Sequence, residues 1–192
     1  EKAACCNLSE SFETNAAIDA SFTDAVTGTR QIELLGLAGK YSQIQLEMTP
    51  FVRGIQANYG LTHIPGFWVR SIQLSKGAGS VANGFESMTG AINVEPTKPN
   101  FDSKLALNLY ANGSGRFEIN ALSAFKIDEH WSTAFLLHGN IRTLKNDMNK
   151  DGFLDMPLSN HINFLNRWKY SSGKGLSSQI GLRLIAEELN GG

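Results

Sequence analysis

The 192-residue chain contains no apolar run approaching the ~20 residues a membrane-spanning helix needs. That absence excludes a helical membrane protein. It does not exclude a β-barrel, whose strands cross with about 9–11 residues of alternating character. Cysteine is nearly missing, and the two present, Cys5 and Cys6, are neighbours. Adjacent cysteines rarely bridge each other, because the linking peptide is strained, and no spaced framework of the secreted kind is formed. The cysteines therefore do not fix the compartment. Charge is scarce at 18% and sums to −1, which removes any electrostatic argument for nucleic acid. Five prolines against nineteen glycines fit a turn-rich β protein rather than a disordered one. No GxSxG elbow, HExxH pair or Walker loop occurs, and His63, His130, His138 and His161 lack partners at metal-ligand spacing. The opening EKAACCNLSE has neither the basic nor the apolar region of a secretory leader. With no initial Met and an end at Asn190-Gly191-Gly192, the chain reads as a piece of something longer.

What is present divides into two rhythms. Residues 1–100 mix a short helix with brief strands and many turns, and 101–192 hold a run of alternating strands. Between them, 96–100 reads as a linker, since its two prolines stop both helix and ladder. Helix-start chemistry lies at 7–13, where Asn7 or Ser9 can cap and Leu8 and Phe12 share a face. Strands are expected at 29–35 and at 41–48. In the second, Ile44, Leu46 and Met48 face one way, and Gln43, Gln45 and Glu47 the other.

Five later segments alternate more strictly. In 104–111, Leu105, Leu107 and Leu109 oppose Asn108 and Tyr110. In 116–127, Phe117, Ile119, Phe125 and Ile127 oppose Glu118, Asn120 and Lys126. In 131–142, Trp131, Phe135, Leu137 and Ile141 oppose His138, Asn140 and Arg142. In 161–170, Ile162, Phe164 and Trp168 oppose His161, Asn163 and Arg167. In 176–186, Ile180, Leu182 and Leu184 oppose Gln179 and Arg183. A soluble antiparallel sandwich and a membrane barrel both alternate in this way. The connections favour the barrel: tight turns at 128–129 and 171–175 flank a long loop at 143–160, the short-and-long pattern of outer-membrane strands. Trp131, Trp168 and Tyr170 sit near strand ends, where an interfacial girdle belongs. Five strands cannot close a barrel wide enough to be plugged, so most of such a barrel would lie outside this chain.

The most specific stretch is 68–99. It runs strand (Ser71-Ile72-Gln73-Leu74), glycine turn (Lys76-Gly77-Ala78-Gly79-Ser80), Asn83-Gly84, then strand (Gly90-Ala91-Ile92-Asn93-Val94) with Lys98 beyond. This order resembles the C-terminal half of the plug domain of TonB-dependent outer-membrane receptors, with Lys76, Gly77, Ser80, Gly84, Gly90 and Asn93 at the motif positions. Two local departures exist: Leu35 stands where the family often has Arg, and Leu46-Glu47-Met48-Thr49 replaces its LIDG. The resemblance implies an α+β plug at 1–100 followed by antiparallel strands of an incomplete transmembrane β-barrel at 101–192, located in the bacterial outer membrane. It implies uptake of a metal–siderophore, another metal chelate, copper or cobalamin, with no catalysis and no required cofactor. The implied partners are the TonB–ExbB–ExbD energising complex, outer-membrane lipid and the small ligand. Phe51, Arg53 and Tyr59 would meet ligand at the plug apex, and Asn108, Asn120, Arg142, Arg167 and Arg183 would face the plug from the barrel wall.

Three other patterns carry chemistry. Asp147-x-Asn149-x-Asp151-Gly152-x-x-Asp155 spaces oxygen ligands as short calcium loops do, with Phe153 able to add its carbonyl; the alternative is a polar turn chosen for backbone geometry. Cys5 and Cys6 with Met48 form a candidate soft-metal set, against which stands the commoner role of buried small hydrophobe. Gly77-x-Gly79-x-x-Ala82 loosely matches a dinucleotide fingerprint, but Asn83-Gly84 interrupts the helix that motif requires. The rival function from another class is a secreted, calcium-stabilised β module for adhesion or carbohydrate binding.

Overall fold

A computed structural model describes Leu8 and residues 18–22, 30–53, 60–80, 87–99 and 105–191. The chain splits into two compact units, Glu1–Pro96 and Thr97–Gly192. No described helix is long and apolar enough to cross a membrane, which says nothing of strands that could.

The first unit holds a two-stranded antiparallel pair, β1 (Ile18–Phe22) with β2 (Arg30–Leu34). Beside it in sequence is a four-stranded sheet of β3 (Ser42–Leu46), β4 (Thr49–Val52), β5 (Val69–Lys76) and β6 (Gly90–Pro96), in the order β4-β3-β6-β5. The β3–β6 pair is parallel and the other two are antiparallel. Period-two alternation gives this sheet one apolar side. Ile44, Ile92 and Val94 pack there with Leu8, Ile32, Leu34, Leu61 and Ile64 in a dry core. Pro96, expected in the linker, ends β6 opposite Val69. Of the expected helix at 7–13, only Leu8 lies among the described residues.

Met48 departs from the expected face of β3. The strand stops at Leu46, and Glu47 and Met48 turn the chain with φ of +52° and +64°. Two successive left-handed residues make the tight hairpin turn that suits twisted antiparallel strands, a turn that usually selects Asn-Gly. Here the neighbouring strand holds it. The Met48 amide donates to Asn93 Oδ1 at 2.8 Å, and the Glu47 amide donates to the Val94 carbonyl at 3.0 Å. The Asn93 amide nitrogen also donates to Gln73 Oε1 at 3.3 Å and Glu95 Oε1 at 3.2 Å. One buried side chain thus ties β5, β6 and the β3–β4 turn together. Gly90 shows why no side chain is allowed at the start of β6: a Cβ there would stand 2.1 Å from the Ser75 carbonyl oxygen.

The second unit is one antiparallel sheet of β7 (Ala106–Ala111), β8 (Arg116–Lys126), β9 (Trp131–Arg142), β10 (Leu158–Ser171) and β11 (Ser177–Asn190), each paired with the next in sequence. Among the described residues, β7 and β11 are its unpaired edges.

Asn93→Ala strands the Met48 amide and is expected to destabilise the protein by about 1–3 kcal/mol. Met48→Gly removes the cost of a left-handed non-glycine residue and should recover about 1 kcal/mol of that loss in the double variant. Denaturant melts of the full-length protein and the three variants measure both effects.

Candidate functional site

The sheet of the second unit has its polarity reversed relative to a soluble protein. Leu107, Ile119 and Leu182 are 63%, 38% and 59% exposed, whereas Glu118, Asn120 and Asn163 are 0% exposed. The pleat sends successive side chains to opposite faces, so every strand contributes to both an oily and a polar side. The apolar side bears an aromatic group around one end of β9 and β10. Trp131 packs on Tyr170 at 5.0 Å and edge-on to Trp168 at 6.4 Å between ring centroids.

The buried polar face is the candidate site. Register places Glu118, Asn140 and His161 in one row, and Asn108, Asn120, His138 and Asn163 in the next. Asn140 donates to Glu118 Oε1 at 3.0 Å and accepts the Ser159 hydroxyl at 3.2 Å, while Arg116 forms an ion pair with Glu118. Asn120 donates to Asn108 Oδ1 at 3.4 Å, and its own Oδ1 lies 2.8 Å from His138 Nδ1. Arg183 donates from Nε to Asn163 Oδ1 at 3.2 Å. Arg167 donates to the Thr97 carbonyl at 3.1 Å and to Gln179 Oε1 at 2.9 Å. A buried polar group without a partner costs far more than a paired one contributes, so these linked amides and guanidiniums are what make such a face tenable.

All five wall residues expected from sequence, Asn108, Asn120, Arg142, Arg167 and Arg183, belong to strands of this sheet, and Arg142 and Arg167 are buried. Sequence reasoning did not single out Glu118, Asn140 and Asn163 as site members, although the same alternation marks them. It also missed a buried apolar group, Leu122, Ala124, Ala134, Leu136 and Leu165. These residues occupy polar-side positions, so the polar face is mixed.

In the first unit, Gly77 turns with φ of +85° and donates its amide to the Thr89 carbonyl at 2.8 Å. Lys76 and Ser80 are exposed, and Gly84 lies outside the described residues. Beside Asn93 opens a cavity of about 140 Å³ whose lining includes Gln43, Gln45, Gln73 and Ser87 together with Met48 and Ala91. Of the expected ligand contacts, Phe51 packs against the hydrophobic core, Arg53 is exposed, and Tyr59 lies outside the described residues. Cys5 and Cys6 also lie outside them, and Met48 is exposed on its turn.

The acidic loop between β9 and β10 folds onto its own amides. Asp147 accepts from Asp151 at 3.3 Å and Gly152 at 3.1 Å, Asn149 Oδ1 accepts from Asp151 at 3.2 Å, and Asp151 accepts from Phe153 at 2.8 Å. Asp155 accepts from Met148 at 2.9 Å. Among the described residues, no three His, Cys, Asp or Glu side chains gather as a metal cage.

No protein-family model and no curated protein matches the chain. Solved structures do. The copper transporter OprC aligns with a TM-score of 0.74 at 13% identity, over 97% of this chain and 28% of its own. The FrpB iron transporter from Neisseria meningitidis gives 0.68 at 14%, over 97% and 30%. The siderophore receptor PirA from Acinetobacter baumannii gives 0.67 at 13%, over 97% and 30%. The fold is that of part of a TonB-dependent receptor. This chain spans less than a third of the length of these receptors. At such identities the likeness lies in backbone arrangement, and the receptor-type fold is carried by different side chains.

The short turns of the receptor-type sheet are held by their own residues. In the turn between β8 and β9, Asp128 Oδ1 accepts the amides of Trp131 and His130, each at 2.7 Å. The Trp131 amide, and after it that of His130, holds the Asp128 carboxyl below the usual aspartate range. A depressed carboxyl contributes stability that is present above the unfolded value of about 3.9 and is lost as pH falls through the folded value. Asp128→Ala should therefore melt below wild type at pH 7, with the gap closing as the pH is lowered into the acid range. Paired thermal melts across pH test this; a gap independent of pH would contradict it.

Proposed function

We propose that residues 1–100 form the plug domain, and 101–192 the first barrel strands, of a TonB-dependent outer-membrane receptor. The receptor imports a scarce metal chelate, copper or cobalamin rather than transforming it. The reversed polarity of the second sheet carries this reading. In a soluble sandwich the oily sides of the strands would meet in a dry interior; here they are exposed, and the polar sides of β8, β9 and β10 are buried. A lipid environment is the solvent in which that arrangement is stable, because acyl chains take the apolar side. The open ends at β7 and β11 fit a wall continued by strands beyond this chain, since unpaired strand edges are not tolerated in lipid.

The ligand class rests on neighbours of this fold described as a copper transporter, an iron transporter and a siderophore receptor. In this reading TonB with ExbB and ExbD supplies the energy for transport. A ligand that binds one plug arrangement better than another shifts the balance between them, and a pull from the energising complex then opens a path.

The test is twofold. The full-length protein should fractionate with outer membranes and need detergent to stay in solution; recovery as a soluble monomer without detergent overturns the assignment. Ile119→Arg, on the apolar side, should cost about 2–4 kcal/mol if the residue lies near the bilayer midplane. Met148→Arg, on the exposed loop, should cost little. A deletion strain should then fail on one scarce metal or cobalamin source and grow on the others.

A further inference from the structure

We propose that His138 and His161 together form a binding site for a borderline divalent cation, Cu²⁺ most tightly and Zn²⁺ less so. The two rings stand on adjacent strands, both buried, with centroids 5.4 Å apart and planes inclined by 68°. An imidazole nitrogen binds such an ion at about 2.0–2.1 Å, with the ring centroid about 1.1 Å behind it, so two imidazoles sharing a tetrahedral ion have centroids about 5 Å apart. The observed centroid spacing matches that of such a pair.

The surroundings prepare His138 for the role. Its Nδ1 lies 2.8 Å from Asn120 Oδ1, an atom that can only accept, so the neutral ring carries its proton on Nδ1 and keeps the Nε2 lone pair. The Asn120 amide is oriented in turn, since its Nδ2 donates to Asn108 Oδ1 at 3.4 Å. A ligating histidine whose other nitrogen is held by an oxygen acceptor is the usual outer arrangement of a metal site. Asn120 is thus a positioning residue. His161 stands in register with Asn140 on one side and Glu187 on the other.

The charges nearby set the character of the site. Arg116 and Arg142 lie on the same face and oppose a cation, although Arg116 is paired with Glu118. No third His, Cys, Asp or Glu joins the two rings among the described residues. Among first-row divalent ions, nitrogen donors of this kind favour Cu²⁺ over Zn²⁺. This inference does not depend on the transport reading; it requires only the register of β8, β9 and β10.

The test uses the full-length protein in detergent, titrated with Cu²⁺ or Zn²⁺ alone. One ion should bind per chain, with a Cu²⁺ electron paramagnetic resonance spectrum showing two imidazole nitrogens. His138→Gln and His161→Gln should each weaken binding at least tenfold, and Asn120→Ala should weaken it several-fold with both rings still present. Unchanged affinity in the two glutamine variants overturns the proposal. Should a variant not fold, wild-type protein gives a second measurement: ascorbate with bound Cu²⁺ oxidises the residues that hold the ion. Mass spectrometry should find oxidation at His138 and His161, and oxidation confined to other residues overturns the site.

Discussion

The structure of the second unit depends on one constraint: a pleated strand must send alternate side chains to opposite sides, so a sheet cannot be polar on one side without being free to be apolar on the other. In β7 to β11 that freedom is used in the direction opposite to a soluble sheet. Leu107, Ile119, Phe125, Ile162 and Leu182 are exposed, whereas Glu118, Asn120, His138, His161, Asn163 and Arg167, all on β8 to β10, are buried. A buried polar face is costly unless its groups find each other, and here many do, along the registered rows and diagonally between them. Glu118 is answered by Arg116 and Asn140, Asn163 by Arg183, and Asn120 by Asn108 and His138. The register is therefore doubly specified. A slip of one residue would turn every polar group to the oily side and break these pairs at once.

The first unit solves a different problem. Its sheet mixes parallel and antiparallel pairing, and its tightest turn is made by two residues that do not favour the conformation they hold. The strain at Glu47 and Met48 is tolerated because the Val94 carbonyl and the Asn93 side chain take up the two amides. Asn93 is a poor strand former by propensity, and its presence inside β6 is explained by the three bonds it makes. The dry core beneath, with Ile44, Ile92 and Val94 at its centre, holds the sheet on which this cross-link is built.

Much of this was legible beforehand, and unevenly so. That β8 and β9 each have an apolar and a polar side follows from alternation, because a period of two sets Phe117, Ile119 and Phe125 against Glu118 and Asn120; which side faces outward does not. The turn at Glu47-Met48 was not legible, since neither residue signals a left-handed conformation and the partner that permits it lies 45 residues away at Asn93. The placement of Phe51 shows the same limit: that it is partly buried and packs against the core is decided by residues distant in sequence. The buried apolar group of Leu122, Leu136 and Leu165 was missed because these residues stand at polar-side positions of their strands.

By itself the sequence determined the alternation, the two-part rhythm, the glycine and asparagine motif of 68–99, and the turns near 128–129 and 171–175. These are local properties, set by which side chain follows which. Tertiary structure decided which residues meet: Asn93 with Met48, Arg167 with Gln179, and His138 with Asn120 and His161. Such meetings depend on strand register, and register is settled by the summed burial and hydrogen bonding of whole neighbouring strands, which no single segment contains.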